Sequence, residues 1–369
     1  MRKYLTVLIG LVLSSYSNGQ TSVVENGIEI LNDGITIKQS ELLFDNAKSF
    51  PNNTQLSIAL IKNGKIDFIG IERKNDTIKL IENYKNVFEI GSITKVFTAT
   101  LLSNFVIDKD LKLDDNIQDY LEFKIKSENK ITFKELANHT SGLPRLPSNL
   151  NLLIVDQDNP YKDYDEEKLI RYLTEEVELN QEPGVKYEYS NLGAGILGFK
   201  LATISKSSYE SLLQEKIFTK FKMVNSTSRR DNVKNKLVNG LTSNGKTTSN
   251  WDFDVLAGGG AIFSTVKDLS QFALAQFDNT NSELVLTQKP TFKVNDNVSI
   301  GLGWHILKRK NGGELIWHNG GTGGYTSSMT LDLENKNGII ILSNVSAFNK
   351  KMENIDRLCF GLIKTLDEK

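Results

Sequence analysis

The run Ser92-Ile93-Thr94-Lys95-Val96-Phe97-Thr98-Ala99-Thr100-Leu101-Leu102-Ser103-Asn104-Phe105-Val106 changes the period of the chain. Upstream, Gln55-Leu56-Ser57-Ile58-Ala59-Leu60-Ile61 has strand composition, Asn63-Gly64 marks a tight turn, and residues 66–71 resume with alternating apolar positions. That is the signature of a β-hairpin. From Ser92 onward, Ile93, Val96, Phe97, Leu101, Leu102, Phe105 and Val106 fall at helical spacing. The spacing predicts a helix apolar enough to be buried. A strand-forming segment therefore feeds a buried helix, and two polar residues three apart stand at its mouth.

A serine and a lysine three apart at a helix start lie on the same face. Unpaired N–H groups and the positive dipole end favour negative charge on the serine oxygen there. A lysine withdrawn from water has a lowered pKa and can take the serine proton. The spacing alone discriminates poorly. It recurs at Ser127/Lys130, Ser243/Lys246 and Ser264/Lys267. The first two sit in polar or glycine-containing stretches. Ser264 precedes a helix but, with Asp268 nearby, reads as a helix cap. Ser92 and Lys95 are the pair whose helix can bury a reactive amine.

Two further elements carry chemistry. Tyr189-Ser190-Asn191 follows Pro183-Gly184 and precedes a helical pattern over 192–204. A phenol can pass a proton to a leaving group, and a carboxamide can orient a lysine and accept from a substrate amide. Trp317-His318-Asn319-Gly320-Gly321 reads as a strand ending in a turn, where glycines admit a substrate backbone. A backbone N–H there, with that of Ser92, would bind an oxyanion. Two roles stay open for His318: binding a substrate carboxylate or tuning the Tyr189 hydroxyl. His139 and His305 read as structural.

Two other patterns are set aside. Residues 240–247, Gly-Leu-Thr-Ser-Asn-Gly-Lys-Thr, match a phosphate-binding loop by letter, but no buried strand precedes them and no helix follows. No Gly-x-Ser-x-Gly elbow is present. No His-Glu-x-x-His or cysteine cluster points to a metal, so neither metal nor cofactor is expected.

Strand character returns over 315–318, 325–333 and 339–344, followed by a helical pattern over 348–366. The stretch from about 111 to 272 reads as helices and loops, strongest over 166–176, 192–204 and 265–277. Strands at both ends with helices between predict an α+β fold, one sheet assembled from both termini and flanked by helices, with an inserted mainly helical lobe. The expected division is a single domain over 20–369, with an α/β lobe from about 40–110 and 275–369 and a helical lobe from about 111–274. Pockets favour such a seam.

The 369 residues carry 44 basic and 45 acidic side chains, a formal charge of −1, which excludes the one-sided field that nucleic acid demands. Cys359 is the only cysteine, so no intrachain disulfide forms, and it falls on an apolar helical stripe as a core residue. Arg2 and Lys3, the apolar run 5–13 and the small residues of 14–19 read as a signal peptide over 1–19. The run is shorter than a membrane span. A periplasmic or secreted protein, not inserted in the membrane after cleavage, is expected. Oligomeric state is not legible.

In order, Ser-x-x-Lys, Tyr-x-Asn and His-x-Gly resemble the penicillin-recognising serine hydrolases, and in particular the class C β-lactamase branch with its D-Ala-D-Ala carboxypeptidase and esterase relatives. The flanks agree: Phe88-Glu89-Ile90-Gly91, Asn138-His139-Thr140-Ser141-Gly142-Leu143-Pro144, Gly258-Gly259-Gly260 and Gly301-Leu302-Gly303-Trp304. The resemblance implies an antiparallel sheet covered by helices plus a mainly helical lobe. It implies Ser92 as acyl-forming nucleophile, Lys95 and Tyr189 sharing acid/base duty, and Asn191 contacting both Lys95 and the substrate amide. It further implies Ser92 and Gly321 N–H groups as oxyanion hole, and a substrate strip over His318, Asn319 and Gly320. True class C β-lactamases carry Lys-Thr-Gly where this chain has His318-Asn319-Gly320, and the histidine version resembles peptidases and esterases more. Three readings follow: hydrolysis of a β-lactam or D-amino-acid peptide, a broad carboxylesterase, or a penicillin-binding sensor without turnover.

Overall fold

The computed structural model describes residues 22–25, 28–31, 35–75, 77–151, 153–310 and 312–367. The expectation for residues 1–19 lies outside them.

A short hairpin, β1 (Ser22–Glu25) and β2 (Ile28–Leu31), precedes α1 (Ile37–Ala47). Thr36 and Gln39 open α1 with a reciprocal capping box. Next come β3 (Thr54–Lys62), β4 (Lys65–Lys74) and β5 (Thr77–Leu80). The two-residue β6 (Phe88–Glu89) leads through a tight turn at Gly91–Ile93 into α2 (Thr94–Ile107).

The middle of the chain is helical: α3 (Phe133–Ala137), α4 (Glu166–Arg171), α5 (Asn191–Ser205) and α6 (Tyr209–Leu213). The helix read over 166–176 widens after Arg171 into a π turn at Tyr172–Glu176. The two-residue β7 (Phe263–Ser264) precedes α7 (Val266–Gln276) and α8 (Ser282–Gln288). The cap of α7 is Thr265, whose Oγ1 accepts from Asp268 N at 3.0 Å, and not Ser264 as the sequence suggested. The chain closes with β8 (Phe292–Lys293), β9 (Val298–Ile300), β10 (His305–Lys308), β11 (Glu314–Gly321), β12 (Thr326–Asp332), β13 (Asn337–Ser343) and α9 (Glu353–Leu366). The last helix starts later than its apolar pattern, which begins at Phe348.

Nine strands form one antiparallel sheet in the order β5-β4-β3-β13-β12-β11-β10-β9-β8. The join between the chain's two ends is β3 against β13, with Ile58 opposite Ile341. Both strands are apolar on both faces, which is why they read as continuous runs and not as clean alternation. Leu56, Ile58, Leu60, Ile339 and Ile341 face α1 and α9. Ala59, Ile61, Ile340 and Leu342 face the second core, which α2, α5 and α7 share. Successive side chains thus serve opposite layers.

Helix α2 is apolar all round and sits inside this second core, with Phe97 stacked on Phe272 at 4.4 Å. A helix with no polar face can only be interior. Helix α9 keeps one apolar stripe. Cys359 on that stripe is buried beneath the sheet, and burial pushes its thiol up to about 12.

Candidate active site

The turn before α2 is set by close backbone packing. Gly91 has φ +51°, and a Cβ there would lie 2.6 Å from Gly321 N. A Cβ on Gly320 would lie 2.0 Å from Ile90 O and 2.9 Å from Ser92 N. Glycine at these positions lets the end of β11 press against the Ser92 turn. Ser327 Oγ, from β12, donates to Ile90 O at 2.8 Å and clamps the same junction.

Lys95 rises from the first turn of α2 and is 3% exposed. Its Nζ lies 2.9 Å from Ser92 Oγ and donates to Gly259 O at 2.6 Å. Burial, and secondarily the charge of Arg145, hold its ammonium well below the usual lysine range. No carboxylate opposes that shift. The depressed amine gives up its proton more readily than an ordinary lysine and has a hydroxyl within its reach.

Tyr189 arrives from the other side. Ser190 caps α5, with Oγ accepting from Gly193 N at 2.9 Å and donating to Pro144 O at 2.7 Å. The Ser190 amide donates to His139 Nδ1 at 3.2 Å, and Asn191 N donates to Arg145 O at 3.0 Å. The loop 138–145 thereby holds Tyr189 in place. Lys95 Nζ lies 4.8 Å from the Tyr189 ring centroid. Burial pushes the phenol upward, opposed chiefly by a hydrogen bond with the Ser92 hydroxyl. Ser92, Lys95 and Tyr189 are thus brought together.

The contact expected between Asn191 and Lys95 is not formed. Gly259 O takes that place, and the buried Asn191 Oδ1 has no hydrogen-bond partner. The reason is local: Gly259 sits directly against the first turn of α5, where a Cβ would be 3.2 Å from Asn191 O.

His318 is buried on β11, and its Nδ1 donates to Asn319 O at 2.6 Å, which assigns the other nitrogen as an unpartnered acceptor. Burial, with His305 and Lys95 nearby, holds the ring neutral, far below the usual histidine range. The Asn319 carboxamide donates to Asp356 of α9 at 2.7 Å. Its Gly320 and Gly321 neighbours line a cavity of about 930 Å³ shared with Ser92, Tyr189 and Asn191.

All three histidines of the chain gather around the tyrosines. His139 lies 4.5 Å from Tyr189, His318 6.4 Å from Tyr189, and His305 accepts or donates at 3.0 Å to Tyr187 OH. Burial brings His305 down to about 4. His139, expected to be structural, does hold the Ser190 turn, while His305, expected to be structural too, also lines the cavity. Sequence reading also missed the cavity's aromatic wall, where Tyr161 stacks on Phe253 at 4.6 Å and lies 5.3 Å from Trp251. The phosphate-loop lookalike is a plain turn closed by Leu241 against Thr247, and its Thr242 and Ser243 line the cavity rim. Among the described residues no group of three or more His, Cys, Asp or Glu is placed to hold a metal, and no helix is long and apolar enough to cross a membrane.

Comparison with known proteins places these features in context. The family described as Beta-lactamase matches residues 54–358. Beta-lactamase-like protein 4 of Dictyostelium discoideum is 27% identical over 361 residues, covering 86% of this chain and 60% of that protein. Protein flp of Staphylococcus aureus (strain N315) is 23% identical over 312 residues, covering 79% of this chain and 59% of its own length. The chain spans about 60% of the length of the curated relatives it matches.

Proposed function

This chain belongs to the beta-lactamase family, and from that premise we propose that it is a serine hydrolase acylated on Ser92. The observation that carries the reading is the buried Lys95 amine, depressed in pKa and 2.9 Å from the Ser92 hydroxyl. Lys95 takes the Ser92 proton as Oγ attacks a carbonyl carbon. The negative charge on the carbonyl oxygen is held by the N–H groups of Ser92 and Gly321, a contribution of about 10²–10³ in rate per donor. Tyr189 passes the proton to the departing nitrogen or oxygen. Water then attacks the acyl-enzyme, with the same groups working in reverse.

Asn191 Oδ1, free of any partner, suits a substrate amide N–H. Gly320 offers its backbone along β11, with His318 and Asn319 fixing that strand. The proposed substrates are amides of β-lactam or D-amino-acid-peptide type. A neutral, buried His318 provides no fixed charge for a β-lactam carboxylate, which favours peptides and, as second reading, simple carboxylic esters. The basic and apolar start of the sequence supports an exported location.

The test compares a chromogenic cephalosporin, a D-Ala-D-Ala peptide and a short-chain ester while intact mass follows the adduct. A transient acyl mass on wild type, absent from Ser92→Ala, is expected. A permanent adduct would make the protein a sensor. Labelling that persists in Ser92→Ala removes Ser92 as nucleophile.

A further inference from the structure

Arg145 stands at the cavity with its guanidinium over the Tyr189 ring and, among the described residues, no anion paired to it. Its backbone carbonyl accepts from Asn191 N at 3.0 Å and Leu192 N at 3.2 Å, which pins the residue beside the first turn of α5. From there its guanidinium carbon reaches to 5.2 Å from the Tyr189 ring centroid. Among the described residues no acceptor hydrogen-bonds to that guanidinium and no carboxylate lies within ion-pair distance. Other arginines are committed: Arg309 to Asp332 and Asp367, Arg230 to Asp252. Among the described residues Arg145 is also the one permanent cation lining the cavity of Ser92, and Asp158 the one acid.

A guanidinium offers five donors in a planar fork that matches a carboxylate edge. Lining the same cavity, Asn191 has a buried Oδ1 acceptor without a donor. Such buried acceptors carry a cost unless a ligand completes them. The two residues are joined through the backbone, Asn191 N donating to Arg145 O, and both line the cavity wall that loop 138–145 and α5 build. Together they describe a ligand with an amide N–H and, a few bonds away, an anion.

We propose that Arg145 is the carboxylate anchor of this site: the acyl donor carries a carboxylate on the side lying along Asn191, and the guanidinium binds it through two parallel N–H···O bonds. The proposal rests on Ser92 being the acylated residue and names the class of acyl group it accepts. Charge selection is thereby supplied from the loop before α5, not from β11, where the neutral His318 stands. Arg145 is exposed, so its hold on an anion weakens as salt screens it.

The test uses a matched pair of esters, p-nitrophenyl hydrogen succinate and its neutral methyl ester. At low salt the wild type is expected to favour the anionic acyl group by about tenfold in kcat/KM, the yield of one charged hydrogen-bonded contact. Arg145→Met brings the ratio close to one, and Arg145→Lys restores part of it. The ratio is the readout because Arg145 also acts on Lys95, and any loss common to both esters cancels. An unchanged ratio in Arg145→Met overturns the anchor. Should neither ester be turned over or leave an acyl mass on Ser92, the ester reading of the proposed function fails by itself, and binding decides the anchor. In Ser92→Ala, tryptophan fluorescence would then report binding of monomethyl succinate against dimethyl succinate. Preference for the acid that vanishes in Arg145→Met supports the anchor. Equal binding of both esters, or a preference that survives Arg145→Met, overturns it.

Discussion

Helices α2 and α7 each begin just after a serine that is followed three positions later by a lysine, Ser92 with Lys95 and Ser264 with Lys267. They are also neighbours, because β6 pairs with β7 and sets Phe88 opposite Ser264. Their surroundings differ in kind. Lys95 is sealed in the core with its amine on Ser92 Oγ, whereas Lys267 is exposed. Ser264 is fully buried, its hydroxyl spent on Ser226 at 2.8 Å, and Thr265 and Asp268 cap and anchor the helix. Ser92 keeps one side open to the cavity. The same four-residue spacing yields a reactive pair or a structural one according to where water is excluded. It is removed from the lysine at α2, and from the serine at α7.

That contrast can be broken most forcefully at the two lysines. Lys95→Ala is expected to lower the acylation rate by at least ~100-fold, the low end for loss of a general base. Lys267→Ala should leave the rate within about twofold, since an exposed surface change rarely costs more. Equal effects on acyl-adduct formation would erase the distinction.

The strand joining the two helices gives the next largest effect. Glu89 on β6 is buried, its Oε1 accepting from Asn250 at 2.7 Å and Trp251 N at 3.0 Å, and burial pushes its carboxyl up to about 7. A pKa raised on folding favours the folded state below the unfolded value near 4.5, and that advantage is lost as pH rises through 7. At 1.36 kcal/mol per unit the loss is about 3 kcal/mol. Glu89→Gln keeps the acceptor and removes the charge. The stability difference between it and wild type, followed by urea unfolding at pH 4 to 8, should grow in favour of the variant over that window. A flat difference would show the carboxyl ionising freely.

The rate–pH profile sharpens the α2 half. With Lys95 depressed by burial and by Arg145, acylation should rise to its plateau well below pH 10.5. Arg145→Met removes the second cause and should move the rising limb to higher pH. A limb centred at the ordinary lysine value would deny Lys95 its role. Smallest is the α7 cap: Thr265→Ala should cost about 1 kcal/mol in thermal or urea unfolding while leaving acylation intact.

Much of this was legible before any coordinates. The hairpin at Asn63-Gly64, the apolar helix after Ser92 and the strands after 315 follow from period and turn chemistry. The meeting of Ser92, Lys95 and Tyr189 is implied by the family resemblance that three short motifs carry. What escaped has a common cause. Strands β5, β8 and β9 are short and partly exposed, and their sequences lack a strong period. His139, His305 and Arg145 belong to the site through contacts between distant segments, which no local pattern announces. The exchange of Asn191 for Gly259 as partner of Lys95 depends on a backbone carbonyl, and every residue has one.

Sheet order has a consequence for how this chain comes into being. Ser92 is made early, yet the edge it leans on, Gly320 and Gly321, is separated from it by more than half the chain, and β13 must slot between β3 and β12 before that edge is anchored. During synthesis the proposed nucleophile is therefore unarmed: it has neither its Gly321 oxyanion donor nor its cavity until the carboxyl-terminal strands arrive. Such long-range closure slows assembly, and it also ties the onset of reactivity to completion of the molecule.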